Sequence, residues 1–218
     1  MATKMITNKY YFSVEGETEK WYLDWLENAI NTNPNAQCKV QFVCTVEKNP
    51  IKYVKRLSNI TKTTVTHVFD FEEPNNNSFV QSKLTEMRKA EEMGKGIRYE
   101  LGYSNLMFEL WIVLHKADCS GIITDKNQYL RKINSAYGTH FESLAQYKEK
   151  NNFATILSKL SLADVIAAID RAKILMGRKD ANGEVKFTYR KYEYYLNNPA
   201  LSIWKKVETV LKECGVLC

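Results

Sequence analysis

Ile6-Thr-Asn-Lys-Tyr-Tyr-Phe-Ser-Val14, followed at once by Glu15-Gly16-Glu17-Thr18-Glu19, is the stretch that decides how this chain folds. The first nine residues are rich in β-branched and aromatic side chains and predict a strand. Helical spacing starts directly after it. Trp21, Tyr22, Trp25, Leu26 and Ile30 recur at helical intervals, Thr18 is a candidate N-cap, and Asn33-Pro34-Asn35 closes the segment. A strand running straight into a helix is half of a βαβ unit.

The same alternation continues downstream. Residues 39–46 read as a second strand, and residues 51–60 as a helix with Pro50 in its first turn and Ile51, Val54, Leu57 and Ile60 on one face. Residues 65–71 form a third strand that ends in Asp70-Phe71-Glu72-Glu73. A polar loop of Pro74 and three asparagines leads to an amphipathic helix over 78–93, then a fourth strand over 97–103, closed by Ser104-Asn105, and a helix over 106–116. The pattern predicts the α/β class with a largely parallel sheet. After Asp118 the character changes: residues 125–137, 152–176 and 199–212 are helical in pattern, with no convincing strand. The expected organisation is an α/β core over 1–118 and a helical extension over 119–218 packed on it, with one compact domain as the alternative.

Composition narrows the class. No apolar run approaches the roughly 20 residues of a membrane span, and the longest, 108–115, is interrupted by Glu109. No basic segment precedes an apolar run near the N-terminus, so a cytoplasmic protein is expected. The five cysteines show no CxxC spacing, which argues against a disulfide framework or a zinc knuckle. A net charge of +6 permits a polyanionic partner without requiring one.

The acidic residues carry the chemistry. Parallel α/β sheets bind ligands at the carboxyl ends of their strands. Glu15 follows strand one, and Asp70 and Glu72 end strand three, so two strands deliver carboxylates to one edge. Alternation points Asp70 and Glu72 to the same side and Phe71 to the other. Gly16 is expected to let the backbone turn sharply. Oxygen ligands of this kind suit Mg²⁺ or Mn²⁺, which would position a phosphodiester while Glu15 acts as general base or acid. The competing reading is that such residues cap helices or face solvent, and Glu17 and Glu19 are assigned that role in the first helical turn.

Val14-Glu15-Gly16-Glu17-Thr18-Glu19, Val68-Phe69-Asp70-Phe71-Glu72, Ser104-Asn105-Leu106-Met107-Phe108-Glu109-Leu110-Trp111-Ile112-Val113-Leu114-His115 and Asn198-Pro199-Ala200-Leu201-Ser202-Ile203-Trp204 together resemble the RloB family, in the same order along residues 9–212. The resemblance implies a Toprim-like parallel sheet flanked by helices, with Glu15 as the Toprim glutamate and Asp70 and Glu72 as its metal tract. It also implies a Mg²⁺- or Mn²⁺-dependent nuclease acting on RNA such as tRNA, or on DNA, in phage defence, often beside an AAA-type ATPase. The second tract position is usually aspartate. Here it is Glu72, with Glu73 as the alternative ligand.

Other residues are weaker candidates. Glu109 interrupts an apolar helix at the end of strand four and is expected to face the same edge. His115 either joins the site or closes the helix. Ser104 and Asn105 either cap that helix or bind phosphate. Arg190 and Lys191, among Tyr189, Tyr192, Tyr194 and Tyr195, suit nucleic-acid contact by stacking and charge, against packing and a solvated face. No P-loop is present, so any ATPase must be a partner. The oligomeric state, a homodimer included, is left open. The alternative to a nuclease is a non-catalytic Toprim-like module that regulates or docks on such an ATPase.

Overall fold

The computed structural model describes residues 5–57, 62–73, 76–119, 121 and 123–217. The expected helical position of Ile60, the loop residues Pro74 and Asn75, and Cys218 lie outside them. Four strands, β1 (Thr7–Val14), β2 (Lys39–Val46), β3 (Thr63–Phe71) and β4 (Ile97–Asn105), pair in the order β2-β1-β3-β4, all parallel. The register sets Val14 against Val46 and Val68, and Asp70 against Ser104.

Alternation along the strands divides the core in two. Phe12, Val14 and Val68 pack beneath α1 (Glu17–Thr32), while Val65, Phe69 and Phe71 pack beneath α2 (Pro50–Arg56) and α3 (Asn77–Glu91). Parallel sheets need both faces covered, and right-handed crossovers in opposite directions place α1 on one face and α3 on the other. Caps differ from the sequence reading in small ways. α3 is capped by Asn76, whose side chain accepts the Phe79 N–H at 3.0 Å, and Asp125 caps α5 (Lys126–Tyr137).

The α1 face continues into α4 (Glu109–Leu114), α5, α6 (Leu144–Tyr147), α7 (Lys150–Leu157) and α8 (Leu162–Ala181). The apolar pattern over 152–176 is therefore two helices, with the Ser161–Asp164 capping box starting the second. Trp111, Tyr129, Tyr147, Phe153 and Ala168 share one buried cluster with Phe12 and Tyr22, so residues on both sides of position 118 build the same core. No single helix is long and apolar enough to cross a membrane among the described residues.

A feature absent from the sequence reading is the antiparallel hairpin of β5 (Lys186–Tyr189) and β6 (Tyr192–Tyr195). Its strands are only four residues long, and charged neighbours mask their alternation. Tertiary packing holds it: Tyr194 meets Phe71 edge-on, and the Tyr192 hydroxyl donates to the Tyr99 carbonyl at 3.3 Å. The exposed edge of β4 is closed by the segment entering α9 (Ile203–Glu213). There the Ser202 N–H donates to the Tyr103 carbonyl and the Asn105 N–H to the Ala200 carbonyl, both at 2.8 Å.

Candidate active site

The strand order reverses between β1 and β3, because β1 leads through α1 to β2 on one side and β3 through α3 to β4 on the other. Such a switch point leaves a crevice at the carboxyl ends of the strands. Here it measures about 190 Å³ and is lined by residues including Glu15, Glu19, Lys48, Asp70, Glu72 and Lys148.

Glu15 stands where the β1–β3 ladder stops. Strand pairing ends at Val14 and Val68, and beyond it Glu15 Oε2 accepts the Asp70 backbone N–H at 3.3 Å. Lys83 Nζ of α3 lies 4.0 Å from its other oxygen. Asp70 lines the crevice, while Phe71 points to the opposite face and stacks on Tyr103 with ring centroids 4.4 Å apart. Glu72 also lines the crevice, exposed, with Lys126 Nζ 3.3 Å from Oε1. Glu73 turns away and accepts the Asn76 side-chain amide at the start of α3. Of the two alternatives, only Glu72 borders the crevice.

Glu19 corrects the sequence reading. It is 4% exposed and not a solvated capping residue. The N-cap of α1 is Gly16 and not Thr18, whose hydroxyl donates to Glu19 Oε2 at 3.1 Å. Gly16 makes no left-handed turn: its backbone is extended, φ −144°. What it supplies is room, since a Cβ there would stand 3.0 Å from Glu19 Oε2.

Glu109 comes from the far side. The helix begins three residues later than spacing suggests, because the buried Leu106 takes φ +70° and donates its N–H to the Phe71 carbonyl at 3.0 Å. A positive φ in a leucine is strained backbone, and this turn swings α4 under the sheet edge. Glu109 is fully buried; Lys148 Nζ lies 3.2 Å from Oε1, and Oε2 has no hydrogen-bond partner.

Burial and mutual repulsion raise the pKa values of the crevice carboxylates Asp70, Glu19 and Glu15. Burial, then the charges of Glu19, Glu109 and Glu15, raise the Asp70 pKa well above the ordinary aspartate value. Burial, with Glu109 nearby, also raises that of Glu19, and burial raises that of Glu15 against the hydrogen bond from Asp70. Lys148 is pulled the other way: burial lowers its pKa, but Glu109, Asp70 and Glu19 outweigh that and raise it. Like charges crowded in low dielectric favour neutralisation by protons or by a cation.

Among the described residues, no three His, Cys, Asp or Glu side chains converge closely enough to hold a metal ion as they stand. The donor set nevertheless fits a hard divalent cation: it is all oxygen, and Glu109 keeps a buried oxygen without a partner. Lys148 stands as its counter-charge.

The remaining sequence candidates lie outside the crevice lining. His115 is a core histidine at the end of α4. Its Nδ1 lies 2.8 Å from the Trp111 carbonyl and its Nε2 3.1 Å from the Tyr22 hydroxyl, so the neutral ring donates to the first and accepts from the second. Burial lowers its pKa to about 4. Ser104 and Asn105 are buried and do not cap α4, which starts after Phe108; the Asn105 amide donates to the Tyr195 carbonyl at 3.0 Å. Arg190, at φ +56°, and Lys191 form the hairpin turn, and Lys191 pairs with Glu91 of α3 at 2.5 Å.

Residues 10–210 match the profile of the family described as RloB-like protein. The chain belongs to the RloB-like protein family. No curated protein and no solved structure matches it. The matched span takes in every crevice residue, from Glu15 after β1 to Lys148 after α6, so both halves of the chain contribute to the site within one family match. The helical half contributes Lys126 and Lys148, which sequence reasoning passed over because no local pattern ties them to Glu72 and Glu109.

Proposed function

We propose that this protein is a Mg²⁺- or Mn²⁺-dependent nuclease of the Toprim type, hydrolysing phosphodiester bonds in RNA such as tRNA, or in DNA, as an effector of prokaryotic phage defence. The observation that carries the reading is the set of carboxylates delivered to the sheet's switch point, Glu15 after β1, Glu19 in α1 and Asp70 on β3, with the buried Glu109 of α4 near enough for its charge to act on Asp70. Glu15, Asp70 and Glu72 are the assigned metal holders, with Glu19 and Glu109 added for their place around Asp70. A hard cation bound there would position the phosphodiester and neutralise charge developing on it. Glu15 sits at the crevice with an elevated pKa, which suits it to take or return a proton at its carboxylate. An AAA-type ATPase partner and cytoplasmic action belong to the same proposal.

The test is direct. Purified protein, alone and with its partner ATPase, is incubated with Mn²⁺ and tRNA, total RNA or plasmid DNA. Cleavage by the wild type that is lost in Asp70→Asn supports the reading. It fails if nothing is cut and Asp70→Asn leaves toxicity in cells unchanged.

One observation favours the second reading, a binding module that docks on the ATPase: no three metal donors are preassembled among the described residues. Calorimetry with Mn²⁺ separates the two, since a catalytic site takes up the ion and a docking module does not.

A further inference from the structure

Three of the carboxylates at or beside the crevice are each paired with a lysine from a different element. Lys83 of α3 lies 4.0 Å from Glu15, Lys126 of α5 lies 3.3 Å from Glu72, and Lys148 after α6 lies 3.2 Å from Glu109. Lys48, from the loop after β2, lines the same crevice. These four cations face six carboxylates, namely Glu15, Glu17, Glu19, Asp70, Glu72 and the buried Glu109. The carboxylates outnumber the lysines, so in the absence of a divalent ion the lysines serve as counter-ions and not as free phosphate contacts. A second observation points to a missing ligand: Glu109 is fully buried and its Oε2 has no partner, although Lys148 is beside Oε1.

We propose that Lys83, Lys126 and Lys148 are exchangeable phosphate contacts: they pair with the carboxylates when no divalent ion is bound, and turn to the phosphates flanking the scissile one when it is. The inference rests on the nuclease reading above and deepens it by making strand binding depend on metal binding. The geometry suits the exchange. The Lys126 and Lys148 side chains are 41% and 40% exposed, so both reach solvent from their present partners, whereas Glu109 stays inside. A lysine neutralised by its carboxylate contributes little to binding a polyanion. Released, each adds one phosphate contact, and the salt dependence of strand binding steepens by about 0.7 per contact. The helical half of the chain thereby supplies two of the three phosphate contacts.

The experiment uses the full chain, Ca²⁺ in place of Mg²⁺ to withhold cleavage, and a fluorescein-labelled polyuridine strand. Anisotropy reads strand binding, and calorimetry with Mn²⁺ reads metal binding. The wild type is expected to bind the strand with Ca²⁺ and at least tenfold more weakly in EDTA. Lys148→Met is expected to bind Mn²⁺ more tightly, having lost the competing cation, yet bind the strand several-fold more weakly with a shallower salt slope. A merely structural lysine would weaken both. Lys126→Met, at an exposed position, gives a second reading of strand affinity and slope should Lys148→Met fold poorly. Strand binding equal in EDTA and Ca²⁺, no strand binding at all, or unchanged salt slopes in the variants overturn the proposal. The absence of any cleavage by the wild type, with toxicity unchanged in Asp70→Asn, sinks the nuclease reading instead, and these titrations do not depend on it.

Discussion

Glu15 Oε2 accepts the backbone N–H of Asp70 at 3.3 Å, just beyond Val14 and Val68, the last paired position of β1 and β3. The carboxylate takes up a donor that the ended ladder would leave free, and in doing so fixes the crevice at the point where strand order reverses. Fold and site are joined by that contact.

Replacing Asp70 separates chemistry from stability. Asp70→Asn is expected to lower cleavage by at least about 10²-fold, within the range of a lost acid, base or electrostatic group. It should also stabilise the metal-free protein at neutral pH. A carboxyl whose folded pKa is raised binds more protons folded than unfolded, so stability is fully present below the ordinary aspartate value and is lost as pH rises through the folded value. The stability gap between Asp70→Asn and wild type, from denaturation in EDTA, should therefore be widest near neutrality and close as pH falls.

His115 acts in the opposite direction. Its pKa is lowered to about 4, so the unfolded chain takes up the proton first, and stability falls as pH drops from 6.5 through 4. The shift corresponds to about 3 kcal/mol for a fully buried ring. His115→Gln should flatten this acid limb without changing metal affinity, as thermal melts across that range and Mn²⁺ calorimetry would record.

Gly16→Ala tests whether the glycine serves Glu19. The extended backbone accepts alanine, so stability should change by less than about 1 kcal/mol, but the new Cβ displaces the Glu19 carboxylate. Mn²⁺ affinity is expected to fall by roughly tenfold, the scale of a disturbed ligand shell. Unchanged affinity would show that Glu19 stands apart from the ion.

Glu109→Gln keeps the shape and removes a buried charge. In EDTA the melting temperature should rise by about 2–4 °C, the equivalent of roughly 1 kcal/mol in a chain of this size, because one unpartnered oxygen no longer carries charge. Activity should drop in the same variant. A fall in melting temperature would mean that the Lys148 pair outweighs the burial of the charge.

The sheet was legible because its signals are local. Residues 7–14 and 39–46 carry β-branched and aromatic runs, and the helices between them carry apolar spacing, which is enough to place Glu15 and Asp70 at neighbouring strand ends. Glu19 was legible too, but was assigned by its charge: it falls on the same stripe as Tyr22, Leu26 and Ile30, the buried face of α1. Lys126 and Lys148 were not legible, since their pairing with Glu72 and Glu109 depends on how the helical half folds back. The hairpin escaped for a similar reason, being held by Tyr194 on Phe71 and not by its own sequence. Ser104 and Asn105 read as caps, yet the strained turn at Leu106 moves the helix start past them.

The central claim is that this crevice holds a divalent cation, and a crystal soaked in Mn²⁺ tests it most directly. The account predicts an anomalous peak in contact with Asp70 and at least one of Glu15, Glu19 or Glu109, with Lys148 Nζ moved off Glu109. An empty crevice at saturating Mn²⁺, with Lys148 still on Glu109, would contradict it.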